Sequence, residues 1–164
     1  MNEIIKEKNI LTDKLDFASR SAIDTVQKYT SSFSPDIFGS QKAQMFDEEN
    51  YFELHAKIQT VSELFGETAL LFLSLKERAT EIYVMQGDNN SKTLADELNK
   101  SVRLCLDARD RTFSPYLCAV FNALALDSDE RKNVNVGSIR IAAHTFSVSI
   151  KEYVNNIKNI GGAI

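Results

Sequence analysis

The chain has no tryptophan and only two prolines, six glycines, two cysteines and two histidines in 164 residues. Each scarcity excludes something. A pair of cysteines cannot build the framework of four or more that staples small secreted domains. Cys105 and Cys118 both fall inside apolar helical patterns and are expected to act as small buried hydrophobes. With so few prolines and glycines, long stretches run without a breaker, which favours long uninterrupted elements. The longest apolar run, Tyr116 to Phe121, falls far short of the roughly 20 residues that span a bilayer. The first residues, MNEIIKEKN, are charged and lack an apolar core. No signal peptide is expected, and the cytoplasm is the expected compartment, that of a host cell if the chain is encoded by a mobile element. Positive charge is also short: the net charge is −4, without the excess by which phosphate-gripping proteins hold nucleic acid.

What is present suits a folded chain. Hydrophobic residues make up 43% and charged residues 26%, which separates it from disordered sequences. A chain of this length buries roughly 70% of its unfolded surface, so neither disulfide nor metal is needed to stabilise it. We expect one domain over residues 1–164.

Hydrophobic periodicity is helical nearly throughout. Ile4, Leu11, Leu15, Ala18, Ala22, Val26 and Tyr29 recur at sevens, fours and threes, giving an amphipathic helix over 1–29. Its stripe is the candidate interaction surface, and the helix a candidate oligomerisation or docking arm. Ser34-Pro35 starts a short helical turn, with Phe33 and Phe38 as a hydrophobic staple and Gly39 as its stop. Tyr51, Leu54, Ile58, Val61, Phe65, Ala69, Phe72, Leu75, Ala79 and Ile82 predict one very long helix over 47–85. Gly66 lies inside it as the one weak point, and residues 69–75 are apolar almost all round, which places that half centrally. Such a helix would be about 57 Å long, more than the ~40 Å diameter of a compact globule of this size.

Gly87 to Asn90 is a stop and turn. A further helix follows over 92–110. Phe113-Ser114-Pro115 repeats the earlier cap, and 116–126 reads as a buried helix. The second Phe-Ser-Pro is read as an independent local start rather than a duplication. Ile139, Ala143, Phe146, Ile150 and Ile157 predict a last helix ending at Gly161-Gly162, although the alternation around 133–150 also fits a minor β element. The fold class is therefore all-α: an elongated bundle of about five to six helices around one very long central helix.

Signatures of chemistry are missing. His55, His144, Cys105 and Cys118 have no two members at the spacing of a zinc knuckle or on one helical turn. Neither histidine follows a glutamate by three positions, as a di-iron bundle requires. An EF-hand starting at Asp127 would place Lys132 and Ser138 where glycine and glutamate are needed. Phosphate-binding glycine loops and nucleophile elbows do not occur. No cofactor, small-molecule ligand or membrane partner is expected. Lys100, Arg103, Arg109, Arg111, Arg131, Lys132 and Arg140 form a candidate basic face, with acidic residues interleaved. The expectation is a non-enzymatic helical interaction protein of the adaptor, inhibitor or scaffold type, self-associating or docking on a larger assembly. The alternatives are a nucleic-acid-associated regulator using the basic face and, behind it, an enzyme with an unrecognised site.

Overall fold

The computed structural model describes residues 1–31, 48–125 and 136–160. The staple-and-cap turn expected at 33–39 lies outside them, as do the residues at 126–135. The described residues are almost entirely helical. They comprise α1 (Asn2–Ser31), α2 (Glu48–Gln86), α3 (Asn89–Ala108), α4 (Ser114–Ala125) and α5 (Val136–Asn159).

Helix α3 does not stop before α4. The chain passes through one widened turn of π-helix, Arg109–Phe113, in which the N–H of Ser114 donates to the carbonyl of Arg109. The sequence suggested a fresh start here, with Ser114 as N-cap. Ser114 is instead fully helical, at φ −61 and ψ −45. Pro115 has no N–H, and its ring crowds the carbonyl four residues back. A wider turn before it relieves that crowding without a break. The described residues therefore form four helical rods. The predicted minor β element near 133–150 is not found either: from Val136 onward this stretch belongs to α5.

Local chemistry sets the one described turn. Gly87, at φ 65, takes the left-handed conformation that closes a helix, and its N–H donates to the Tyr83 carbonyl at 2.8 Å. Asp88 then caps α3 through a 3.0 Å bond accepted from the Asn90 N–H. Two residues thus reverse the chain, so α2 and α3 pack antiparallel.

The other neighbours are antiparallel too. Glu7 of α1 meets Arg78 of α2 at 2.9 Å, while Tyr29, at the far end of α1, donates to Glu53 near the start of α2. Early in α1, Lys8 donates to the Ile160 carbonyl and Asp16 pairs with Lys158 at 2.8 Å. Later in α1, Gln27 and Thr30 share a groove with Arg140 and His144 of α5. The rods form an up-down-up-down ring in which α1 touches α2 and α5, and α3 touches α2 and α5.

The core is the set of predicted stripes meeting one another. Phe65, Phe72, Phe113, Phe146, Leu94, Leu98 and Ile150 are fully buried, each stabilising the fold by about 1.5–3 kcal/mol. Phe113 joins three rods: its ring lies 5.0 Å from Phe65 and 5.3 Å from Phe146, edge-on to the latter. Tyr116 continues the stack at 4.7 Å from Phe146. Gly66 does not interrupt α2. It makes room for Arg109 of the π turn, whose guanidinium nitrogen would stand 3.2 Å from a β-carbon there. The apolar belt at 69–75 is only half used, with Leu70 and Leu71 exposed.

Candidate interaction surface

The α1 stripe turns inward. Ile4, Leu15, Ala22, Val26 and Tyr29 are buried in the chain's own core, with Leu11 and Ala18 half-buried beside them. This corrects the expectation of an arm free for a partner. The stripe faces α2 and α5, and uncovering it would cost the hydrophobic stabilisation it already supplies.

Three cations of the candidate basic face, Lys100, Arg103 and Arg111, share the continuous rod of α3, the π turn and α4, and Arg140 lies on α5. Lys100 and Arg103 lie exposed on α3, Arg111 lines a groove between α4 and α5, and Arg140 lines a different groove between α1 and α5. Arg131 and Lys132 lie outside the described residues. Arg109 lies against Gly66 with its Nε on Asp110 at 3.0 Å.

Among the described residues, no group of three His, Cys, Asp or Glu side chains could hold a metal ion, and no helix is long and apolar enough to cross a membrane. His55 is half-buried near the Phe121 ring at 6.5 Å, and His144 is exposed. Cys105 is buried, and burial pushes its thiol up to about 12. Burial raises the Tyr116 phenol as well, with Tyr51 adding to it. Lys8 is buried, and desolvation holds its ammonium below the usual lysine range while Glu97 opposes the shift. Its bond to Ile160 ties the end of α5 to α1, where a cation also suits the negative end of the helix dipole.

The feature least anticipated is α4. Its sequence, SPYLCAVFNALA, has no charged residue and reads as a buried helix. Among its described side chains, 114–122, the structure buries Tyr116 and Val120. Pro115, Cys118, Ala119 and Phe121 face solvent, Phe121 at 61% exposure. This also corrects the expectation for Cys118, which is an exposed thiol. Next to α4, helix α5 presents Ile141 and Val148, 70% and 49% exposed, with Thr145 between them. A groove of about 200 Å³ runs between the two helices, lined by Arg111, Thr112, Pro115, Ala119, Ala142, Thr145 and Ser149 over the flanks of Tyr116 and Phe146.

Charge is nearly absent from this face. Arg111 lines this groove, and among the described residues from Thr112 to Ile150 the one charged residue, Arg140, lines the groove on the α1 side of α5, in a chain that is 26% charged. Depletion of charge with retained apolar surface marks the centre of protein interfaces. The groove is smaller than the roughly 300–1,000 Å³ of small-molecule pockets, which favours side chains of a macromolecule over a buried ligand. A sequence signal for this surface existed, the uncharged run at 112–126, but it is the same signal that a core helix gives.

Comparison with protein-family models, with curated proteins and with solved structures finds no match for this chain.

Proposed function

We propose that this chain is a non-enzymatic helical interaction protein, of the adaptor, inhibitor or scaffold type, that docks through the exposed face of α4 and α5. One observation carries the reading. Among the described side chains of α4, a helix with no charged residue, Tyr116 and Val120 are buried while Pro115, Cys118, Ala119 and Phe121 are exposed, and the neighbouring α5 exposes Ile141 and Val148. Contiguous exposed apolar surface is costly in a monomer and marks contact sites. The proposal includes an elongated bundle of five to six helices around α2, supported by the 39 residues of that helix, about 58 Å at 1.5 Å per residue. It also places the chain in the cytoplasm.

The test compares two forms of the full chain, wild type and Ile141→Asp/Val148→Asp, as baits in cells that natively express it. Captured proteins are identified by mass spectrometry and contacts are mapped by cross-linking. Both substituted positions are exposed, so the helices should persist by far-UV circular dichroism. Cross-links from α4 and α5, to any chain, should vanish in the double variant. Equal recovery of every contact by a folded double variant would reject this face as the docking site.

A further inference from the structure

Independently of the α4–α5 face, we propose that the groove between the last turns of α1 and the first turns of α5 binds a phosphate group, free or borne on a small ester. The groove measures about 280 Å³, and its polar lining is Gln27 and Thr30 from α1 with Arg140, His144 and Ser147 from α5. Ser147 is buried and already donates to the Ala143 carbonyl at 2.9 Å. The other four side chains are uncommitted: among the described residues, the Arg140 guanidinium, the His144 imidazole, the Gln27 amide and the Thr30 hydroxyl make no hydrogen bond or ion pair. Each of them can donate. Arg140 and His144 stand one turn apart on α5, and Gln27 and Thr30 one turn apart on α1, so each pair shares a side of its helix. Donors therefore converge from both walls. No local motif marks the groove, because its walls come from helices far apart in the sequence.

Charge along the α1–α5 seam favours this end of it for an anion. Towards the other end the cations are neutralised in place, where Asp16 holds both Arg20 and Lys158 at 2.8 Å. In the groove itself no carboxylate is present. Asp24, one turn before Gln27, is exposed and forms no ion pair with Arg140. Lys151, seven residues after His144, is exposed and falls on the same side of α5. An acid-free donor groove thus sits in a chain of net charge −4. The helix ends that meet here carry opposite dipole charges, so the side chains set the preference. A planar carboxylate could occupy the Arg140 fork alone, whereas a tetrahedral phosphate presents oxygens to both walls at once. The volume falls just below the roughly 300–1,000 Å³ of drug-sized pockets, which suits a phosphate with a short attached chain.

Nuclear magnetic resonance titration of the isotope-labelled full chain tests the proposal, with inorganic phosphate, glycerol 3-phosphate and acetate added separately at constant ionic strength. With either phosphate compound, signals of Gln27, Thr30, Arg140 and His144 should move to a saturating end point, and acetate should bind more weakly. Arg140→Gln should weaken phosphate binding by about tenfold or more, and His144→Ala should weaken it too. Both positions are exposed, so far-UV circular dichroism should be unchanged. Arg103→Gln removes the same charge from an exposed position on α3 and should bind as wild type does. Tighter binding of the ester assigns the groove to a phosphate ester, and tighter binding of inorganic phosphate to the free ion. Shifts that do not saturate overturn the proposal, as does acetate binding as tightly as phosphate. Equal losses in Arg103→Gln and Arg140→Gln also overturn it, since they would mean diffuse attraction to positive charge. If Arg140→Gln misfolds, a folded His144→Ala that binds as wild type does overturns it.

Discussion

Replacing Gly66 with alanine sets two local effects against each other in the middle of α2. Glycine inside a helix is about 1 kcal/mol less favourable than alanine, because it loses more backbone freedom on folding. Against this gain stands Arg109. The new methyl carbon would meet its guanidinium nitrogen at 3.2 Å and its δ-carbon at 3.7 Å. The second distance is ordinary contact; the first requires a shift of a few tenths of an ångström. The atom that must move is the tip of a flexible side chain that is 41% exposed. Its only ion pair among the described residues, to Asp110, is also on the surface and is worth well under 1 kcal/mol. The propensity term wins, and Gly66→Ala should stabilise the chain by about 0.5–1 kcal/mol. Urea unfolding followed by circular dichroism at 222 nm reads this as a higher midpoint at unchanged slope, and the thermal midpoint should rise by about 1–4 °C. Gly66→Leu, whose branch has to displace the whole Arg109 side chain, should lose the gain. A lower midpoint for Gly66→Ala would refute the reasoning, because it would mean that Arg109 is fixed in place or that α2 needs glycine to bend.

Phe113→Ala should cost about 3–5 kcal/mol in the same unfolding experiment, since the ring is fully buried between Phe65 and Phe146. Phe17→Ala, at 79% exposure, should change stability by less than about 0.5 kcal/mol, and equal costs would mean the core is misplaced. Titration with a thiol reagent in dilute native solution should modify Cys118 and spare Cys105 until the chain unfolds; fast reaction at both would contradict the burial of α3. Lys8 gives a pH signature. Its folded pKa lies below the ordinary lysine value of 10.5 because burial disfavours the charged form, so the unfolded chain holds more protons in the window just below that value. Wild-type stability therefore gains from Lys8 as pH rises through that window, and the stability of Lys8→Met relative to wild type should fall between pH 7 and pH 10. A difference that stays flat or rises would show that Lys8 is solvated.

How much was legible beforehand follows from which physical effects are local. The stripes of α1 and α2 could be read because helical periodicity puts Ile4, Leu15 and Val26, or Leu54, Ile58, Phe65 and Phe72, on one side whatever they later touch. The stop at Gly87 was legible for the same reason, since a left-handed residue needs no tertiary partner, but α3 starts at Asn89, capped by Asp88, rather than at 92. The cap expected at Ser114 was wrong because the same Ser-Pro pair fits either a helix start or a widened helical turn. The choice fell to the packing of Phe113 and Tyr116 against Phe146 on a distant helix.

Composition and periodicity alone determined that the chain is helical and which residues of each helix are apolar. Only the tertiary structure decided how those faces are used. It buried the α1 stripe against α2 and α5. It also left the uncharged side of α4 open beside Ile141 and Val148. The reason is geometric: periodicity assigns a residue to a side of its own helix, whereas burial depends on whether another helix lies opposite that side.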